Sequence, residues 1–443
     1  MRQEGELDLA EAALERALAL MPGEPKALRA RAQLAFDRGR VSSHLFAEAR
    51  AAASGDRELC LSEAAALQQE GRAEAAENLL EELVRADPAS QPGHYMLAHI
   101  RWQGGGGAEF ARSYRDALRQ RPGDAALWTS LATITQRALG EQRALAVIAD
   151  ARAAAGDNAV FDNAEANIFC ELGELDRARP FFERSGRADD VGLELATIRF
   201  LLRDGGFEEA ARRGLALVER GSGNHAWPYV SAAWRKSGDP RWGWLEGDRD
   251  FAQMFDLAAL APELPALAER LRALHRWKVH PFEQSLRGGT QTDNILFSRA
   301  EPEIRALVGH IREEVRAYID GLPPPEPGHP VLDRSREGFR FTGSWSVRLT
   351  GAGFHVSHIH SHGWISSALY VSLPDAIGDG ERSRDGWLVL GEPDPALGLE
   401  LPPLRYVRPE PARLVLFPSI MWHGTRPFAA GERLTVAFDV APG

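Results

Sequence analysis

The stretch GFHVSHIHSHGWISSALYVSLP, residues 353–374, joins a histidine cluster to a strand-like pattern of residues. Four of the chain's 13 histidines lie within eight positions, namely His355, His358, His360 and His362. Because alternate residues of an extended strand point to the same face, His358, His360 and His362 would share one face and His355 would be out of register. The spacing therefore predicts that His358 and His360 can hold one metal ion together.

Two further strand-like segments offer partners for this pair. RLVLFPSIMWH (413–423) ends in His423, which is the candidate for a third metal ligand. ERLTVAFDV (432–440) places Arg433 and Thr435 two residues apart, so both can face inward from one strand. An arginine fork beside a threonine hydroxyl is suited to gripping a carboxylate. The Tyr370 hydroxyl is a further candidate for contacting the oxygen of a bound acid.

The region around these segments has the pattern of a β-domain. From Phe339, apolar and polar residues alternate in four short segments that glycine, proline and aspartate separate. This pattern predicts an antiparallel domain over 331–443, either a sandwich or a jelly roll. Amphipathic helices are predicted within 241–330, which we interpret as a junction that supports the β-domain.

Residues 1–240 have a different pattern, rich in Ala, Leu, Glu and Arg with apolar residues at helical spacing. Pro22, Pro88 and Pro122 lie 66 and 34 residues apart, and each follows apolar or small residues at the same offsets. A period close to 34 predicts stacked helical hairpins, an α-solenoid. The fold class is therefore multi-domain, an N-terminal α-solenoid followed by a β-domain.

Composition limits the classes of function. The chain has 443 residues, which favours more than one domain, and its net charge is −11. This charge argues against nucleic acid or an anionic membrane as the main partner. The sequence shows no secretory signal and no apolar run long enough to span a bilayer, so we expect a cytoplasmic protein. It leaves the oligomeric state open.

The motifs together resemble a known family. GFHVSHIHSHGWISSALYVSLP, LVLFPSIMWHGTRPF and ERLTVAFDV are similar to 2-oxoglutarate- and Fe(II)-dependent oxygenases that follow tetratricopeptide repeats in bacterial proteins. The helical period over 1–240 resembles those repeats. The resemblance implies a double-stranded β-helix over 331–443 that holds Fe(II) through His358, His360 and His423. It also implies that 2-oxoglutarate is held by Arg433, with Thr435 beside it, and that O₂ is consumed.

The activity that the resemblance implies is dioxygenase chemistry, in which 2-oxoglutarate is decarboxylated to succinate and a substrate is hydroxylated. Because a solenoid offers a binding surface, we expect a peptide or protein substrate there. The sequence departs from the commoner site of two histidines and one carboxylate, since a histidine stands at position 360. Either iron is held by three imidazoles, or His360 does not bind it and water or co-substrate occupies that coordination position.

Three alternatives stay open from the residues. The first is a three-histidine, cupin-like dioxygenase that does not use 2-oxoglutarate. The second is a repeat scaffold whose β-domain is catalytically dead. The third is a structural zinc site, although such sites are closed by four ligands that commonly include cysteine, and Cys60 and Cys170 are far from the histidines in sequence.

Overall fold

The computed structural model describes residues 4–53, 55–185, 190–247, 249–293 and 295–443. Parts of the predicted repeat and junction segments, at 1–3, 54, 186–189, 248 and 294, lie outside the described residues. The chain divides into two compact units. The first comprises 1–158, 276–283 and 292–305, and the second comprises 159–275, 284–291 and 306–443. The division predicted above at 240 and 330 stays a prediction.

The first unit is built from helices that pack against their neighbours in sequence. Those among its described residues are α1 (Glu4–Leu20), α2 (Pro25–Asp37), α3 (Ser43–Ala52), α4 (Arg57–Gln69), α5 (Ala73–Ala86), α6 (Gln91–Gln103), α7 (Arg112–Gln120), α8 (Ala125–Leu139) and α9 (Glu141–Ala155).

The periodic prolines lie at equivalent places in this unit. Pro22, Pro88 and Pro122 each stand two residues beyond the end of a helix, α1, α5 and α7 respectively. Proline cannot continue a helix because it lacks the N–H and its ring clashes with the preceding turn, so each helix ends there. The predicted helices are present, and their assignment as tetratricopeptide repeats stays a prediction.

The second unit contains helices and an antiparallel sheet. Its helices are α10 (Ala159–Glu171), α11 (Leu175–Ser185), α12 (Val191–Arg203), α13 (Phe207–Leu217), α14 (Gly223–Ser237), α15 (Leu264–Leu274) and most of α16 (Pro302–Asp320). Its strands are β1 (Gln253–Asp256), β2 (Leu286–Gln291), β3 (Phe339–His358), β4 (Ile365–Ser372), β5 (Leu388–Leu390), β6 (Arg405–Val407), β7 (Arg413–Pro418), β8 (His423–Thr425) and β9 (Glu432–Pro442). No helix in the described parts of the chain is long and apolar enough to cross a membrane.

The strands form one curled sheet in the order β1-β7-β4-β9-β3-β8-β5-β6, with β2 paired to β3. The long strand β3 takes part in three ladders, with β2, β9 and β8. Its first part pairs with β9 through Leu349 and Arg433, and its last residues pair with β8 through His358 and His423. A strand that changes ladders in this way folds the sheet into two facing layers. This arrangement is consistent with the predicted jelly roll.

The bend in β3 has a local cause. Ala352 has a φ of 61°, the left-handed region that a residue with a Cβ rarely adopts. Next to it, a Cβ on Gly353 would lie 2.6 Å from the carbonyl oxygen of Gly288 on β2. The close approach of the two backbones therefore requires glycine at 353, and it is here that β3 leaves β9 and turns towards β8.

A buried histidine beside the sheet gives the second unit a pH dependence. The ring of His275 makes hydrogen bonds of 2.8 Å to Thr290 Oγ1 and 3.1 Å to Ser346 Oγ. Burial, and secondly the charge of Arg348, lower the pKa of His275 to about 4. In the unfolded chain a histidine has a pKa near ~6.5. Between these two values the unfolded state binds a proton that the folded state does not bind.

We therefore expect the free energy of unfolding to fall as the pH drops from about 6.5 towards 4, by up to about 1.4 kcal/mol per pH unit from this group. His275→Gln should remove this part of the slope. The measurement is urea unfolding at several pH values, followed by tryptophan fluorescence. Exposed His44→Gln is the control, and equal slopes in both variants would contradict the assignment.

Candidate active site

Three histidines of the predicted set come together in the second unit. His358 ends β3 and pairs directly with His423, which begins β8. The strand stops at His358, so His360 does not lie on it as the spacing suggested. Its position is set by its backbone N–H, which donates to Ser419 O at 3.0 Å. One nitrogen from each ring lies within 4.8 Å of the others, a separation at which one metal ion can bind all three.

Hydrogen bonds determine which nitrogen of each ring is free. His358 Nδ1 lies 2.8 Å from Val356 O, and His423 Nδ1 lies 3.0 Å from Met421 O. A carbonyl oxygen only accepts, so both Nδ1 atoms carry the proton and both Nε2 atoms have a lone pair. His360 Nδ1 lies 2.7 Å from a carboxylate oxygen of Asp439, which leaves its Nε2 free in the same way. The site therefore offers three Nε2 lone pairs.

Burial keeps the rings of His358 and His423 neutral. The pKa of His358 is lowered to about 3, first by burial and then by the neighbouring His360. The pKa of His423 lies well below its ordinary value, because of burial and then because of His358. A metal binds the unprotonated imidazole, so near neutral pH no proton has to leave these two rings before a metal binds.

Asp439 is a functional residue that the sequence analysis missed. It lies on β9, and its Oδ1 accepts hydrogen bonds from His360 Nδ1 and, at 2.6 Å, from Ser366 Oγ. Ser366 pairs with Asp439 across β4 and β9. The site thus contains a carboxylate, which is hydrogen-bonded to Nδ1 of His360, on the opposite side of the ring from Nε2. A carboxylate in that position fixes the orientation of the ring and makes Nε2 a stronger donor to a metal.

Asp439→Asn should lower the affinity for a divalent metal by about 10–100-fold, because an amide oxygen is a weaker acceptor for His360 Nδ1 than a carboxylate. The affinity can be measured by titration with Co²⁺ under anaerobic conditions. Asp375→Asn changes an exposed acid of the same unit and serves as the matched control. Equal affinities in the two variants would show that Asp439 does not act on the metal site.

The two remaining histidines of the cluster lie outside the triplet. Ser285 Oγ lies 3.0 Å from His355 Nδ1 and 3.2 Å from His358 Nε2, so His355 borders the site through this serine. The strand period predicts opposite faces for His355 and His358, but the register of β3 shifts between them and their rings stack, 5.8 Å apart centre to centre. The ring of His362 lies 5.7 Å, centre to centre, from the ring of His225 on α14.

Arg433, Thr435 and Tyr370 form a second part of the site. Thr435 pairs with Tyr370 across β9 and β4, and the Arg433 guanidinium lies 5.0 Å from the centre of the Tyr370 ring. Arg433 is only 3% exposed, and its Nη1 donates to Gly386 O at 2.9 Å. Its Nε and the Tyr370 hydroxyl are buried and have no hydrogen-bond partner among the described residues.

A buried guanidinium without a carboxylate is costly, and burial accordingly lowers the pKa of Arg433. Burial, then His358 and then the charge of Arg433 lower the pKa of His355. The orphaned donors of Arg433 and Tyr370 match the oxygens of an anionic ligand. The Thr435 hydroxyl lies 3.5 Å from Val347 O, a weak contact that leaves it available to the same ligand.

Comparison with known proteins addresses the C-terminal region. Residues 343–439 match the family model described as "Putative 2OG-Fe(II) oxygenase". The matched range includes the three clustered histidines, Arg433 and Asp439. Over this range the chain is similar to that family. No curated protein matches the chain.

Solved structures similar to this chain include three oxygenases, each matched over 44% of this chain. A viral collagen prolyl hydroxylase from Paramecium Bursaria Chlorella virus-1, in complex with 2OG, is 14% identical and 98% covered, with a TM-score of 0.29. HygX from Streptomyces hygroscopicus, with nickel and 2-oxoglutarate bound, is 14% identical and 84% covered, with a TM-score of 0.32. A Pseudomonas putida prolyl-4-hydroxylase is 17% identical and 95% covered, with a TM-score of 0.30.

Proposed function

We propose that the protein is a non-haem Fe(II), 2-oxoglutarate-dependent dioxygenase that hydroxylates its substrate. The observation that carries this proposal is the pairing of two features in one domain. One is a set of three imidazoles with unprotonated Nε2 atoms, and the other is Arg433, a buried arginine for which a backbone carbonyl is the described acceptor. The first fits a metal and the second fits a dicarboxylic acid.

The donor set fits Fe(II) better than structural zinc. Three neutral imidazoles leave coordination positions open for a co-substrate and O₂, whereas a structural zinc site is closed by four protein ligands. Both cysteines are buried and free, Cys60 in α4 and Cys170 in α10. Within the described residues, the group of metal-binding type is the triplet of His358, His360 and His423.

The arginine site fits 2-oxoglutarate. This ligand has a keto-acid end that can bind a metal and a distal carboxylate that needs a cation. In our proposal His358, His360 and His423 hold the metal, while Arg433, Thr435 and the Tyr370 hydroxyl hold the distal carboxylate. A bidentate contact with the carboxylate would satisfy the guanidinium, which at present has a single backbone acceptor described for it.

Each of these residues has a defined role when the ligands are bound. Iron with 2-oxoglutarate would supply the oxidising chemistry, in which O₂, the keto acid and a substrate C–H bond yield succinate, CO₂ and the hydroxylated product. The Nδ1–H hydrogen bonds of the histidines orient Nε2 towards the metal. Asp439 adds negative charge behind His360. Phe417, Leu390 and Met421 are buried in the same hydrophobic cluster as Tyr370.

The proposed substrate is a peptide or protein that the helical first unit binds. Support for this part comes from the period of about 34 residues in the sequence, which is typical of helical repeats that bind other proteins. A small-molecule substrate would leave the helical unit with another role, such as oligomerisation.

The experiment that tests the proposed activity is uncoupled turnover. Protein prepared anaerobically and loaded with Fe²⁺ should convert 2-oxoglutarate to succinate when O₂ is admitted, even without substrate, and NMR would follow succinate. His362→Ala, which changes a histidine outside the triplet, should retain this activity. Absence of succinate, together with unchanged metal content in His423→Ala, would refute the proposal.

A further inference from the structure

Ser285, the residue before β2, lies directly against the histidine triplet. Its backbone O accepts a hydrogen bond from Val356 N at 3.0 Å, and the next residue, Leu286, pairs with His355 across β2 and β3. This pairing brings the serine hydroxyl to two histidine rings. Its Oγ lies 3.0 Å from His355 Nδ1 and 3.2 Å from His358 Nε2. The hydroxyl therefore contacts a nitrogen that is proposed to bind the metal.

The proton of the His358 ring fixes the direction of these hydrogen bonds. His358 Nδ1 carries that proton, because it donates to Val356 O. His358 Nε2 therefore has a lone pair, and its contact with Ser285 requires the hydrogen of the serine hydroxyl. A serine has a single hydroxyl hydrogen, so at His355 the serine oxygen is the acceptor and Nδ1 is the donor. Hydrogen bonds thus run from His355 to Ser285 and from Ser285 to His358.

The lone pair of His358 Nε2 is the one that a bound metal would use. Ser285 would then have to direct its hydrogen to another acceptor, while His355 still donates to its oxygen. Two ligands bonded at about 2.1 Å and at right angles on one metal lie about 3 Å apart. The 3.2 Å between Ser285 Oγ and His358 Nε2 is close to that separation. The hydroxyl is therefore near enough to reach an atom that is bound to the metal beside Nε2.

The acceptor that suits this hydroxyl is an anion. Imidazoles contribute no negative charge, so they leave the charge of a divalent metal unbalanced. Arg287 adds a positive charge beside Ser285, because its Nη1 donates to Gln284 O at 2.7 Å and to Leu286 O at 2.8 Å. Hydrogen bonds to a charged acceptor are stronger than those to a neutral one. Carboxylates on the surrounding strands and loops have other donors, namely Asp439 with His360, Glu392 with Arg426 and Asp394 with Ala396 N.

We infer that Ser285 donates a hydrogen bond to an anionic ligand of the metal, and that His355 is a positioning residue that orients the serine hydroxyl for it. The inference rests on the metal site of the proposed function, but not on which anion occupies it. For 2-oxoglutarate the acceptor is an oxygen of the keto-acid end, whereas Arg433 holds the distal carboxylate.

The test is anion binding to the full-length protein loaded with Co²⁺ under anaerobic conditions, followed by the visible absorption of the metal. The probes are 2-oxoglutarate and azide, a small anion without a distal carboxylate. Ser285→Ala changes no charge and should bind both probes about fivefold more weakly, the effect of one lost hydrogen bond. Its affinity for Co²⁺ should stay within about threefold. Ser357→Ala is the matched control, because that hydroxyl lies on β3 and donates to Glu392 O.

Variants of His355 test whether this ring orients the serine. His355→Leu removes the donor and should weaken the binding of both probes as much as Ser285→Ala does. His355→Asn keeps an N–H donor close to the position of Nδ1 and should restore binding. A role in packing alone would weaken binding equally in the two variants, which would overturn the assignment of His355.

The inference fails if Co²⁺ binds but Ser285→Ala and Ser357→Ala have equal affinities for both probes. It also fails if Ser285→Ala loses Co²⁺ itself, since the serine would then be a metal ligand. Weaker azide binding by Ser285→Ala, without any binding of 2-oxoglutarate to the unchanged protein, would uphold the inference and refute the proposed co-substrate. If the unchanged protein does not bind Co²⁺, the proposed metal site is refuted and the inference with it.

Discussion

His423→Ala should leave the protein unable to hold stoichiometric iron, with an affinity for Fe²⁺ at least about 100-fold lower. His423 Nε2 is one of three metal-binding nitrogens, and its strand neighbour His358 provides the second. Loss of a group that only orients a ligand costs about 10–100-fold in affinity, so loss of a ligand itself should cost more. The metal content of protein loaded anaerobically and then desalted measures the effect directly.

The matched control for this prediction comes from the same histidine tract. His362→Ala removes an imidazole two residues beyond His360, whose ring neighbour is His225 and not the triplet. It should retain iron. His360→Ala tests whether His360 binds the metal directly. A metal content as low as that of His423→Ala would identify His360 as a ligand. Retention of iron by His423→Ala would contradict the proposed site.

The second large effect concerns the co-substrate. Arg433→Met should reduce the affinity for 2-oxoglutarate at least about 100-fold while leaving metal binding unchanged. The side chain is buried, and removing one partner of a buried, hydrogen-bonded charge pair costs several kcal/mol. Methionine fills much of the same volume, so that packing against Tyr370 is preserved. Calorimetric titration of the Co²⁺-loaded protein with 2-oxoglutarate measures the affinity.

This variant also separates the proposal from its main rival. A three-histidine dioxygenase that does not use 2-oxoglutarate would bind metal through the same residues and would have no site for the keto acid. In that case neither the unchanged protein nor Arg433→Met would bind 2-oxoglutarate. Arg340→Met, an exposed change on β3, provides the control for substitution of an arginine in the same sheet.

Much of the second unit could be predicted because its strands alternate strongly. The segments that become β3, β4, β7 and β9 are long enough for their period of two to be visible in the sequence. The strands β5, β6 and β8 have three residues each, too few to show a period, and β1 and β2 have weak patterns. Short strands form because the neighbouring ladder provides partners for them, and that information is not local.

The metal candidates were predictable for a similar reason. Two residues at a separation of two are brought together by strand geometry alone, and imidazole is a metal ligand in almost any context. The backbone of β3 nevertheless ends at His358, and His360 reaches the site through the hydrogen bond of its N–H to Ser419 O. The histidine spacing thus identified the candidate ligands, but it wrongly predicted that the strand continues to His360.

The sequence alone determined the residue types that can carry the chemistry, since histidine spacing and an arginine ten residues after His423 are properties of the chain itself. Only the tertiary structure revealed that the Asp439 carboxylate belongs to the metal site. Asp439 is 79 residues from His360 and meets it because β9 lies between β3 and β4 in the sheet. Local periodicity specifies which way a side chain points, but hydrogen-bond partners between distant segments depend on which elements become neighbours.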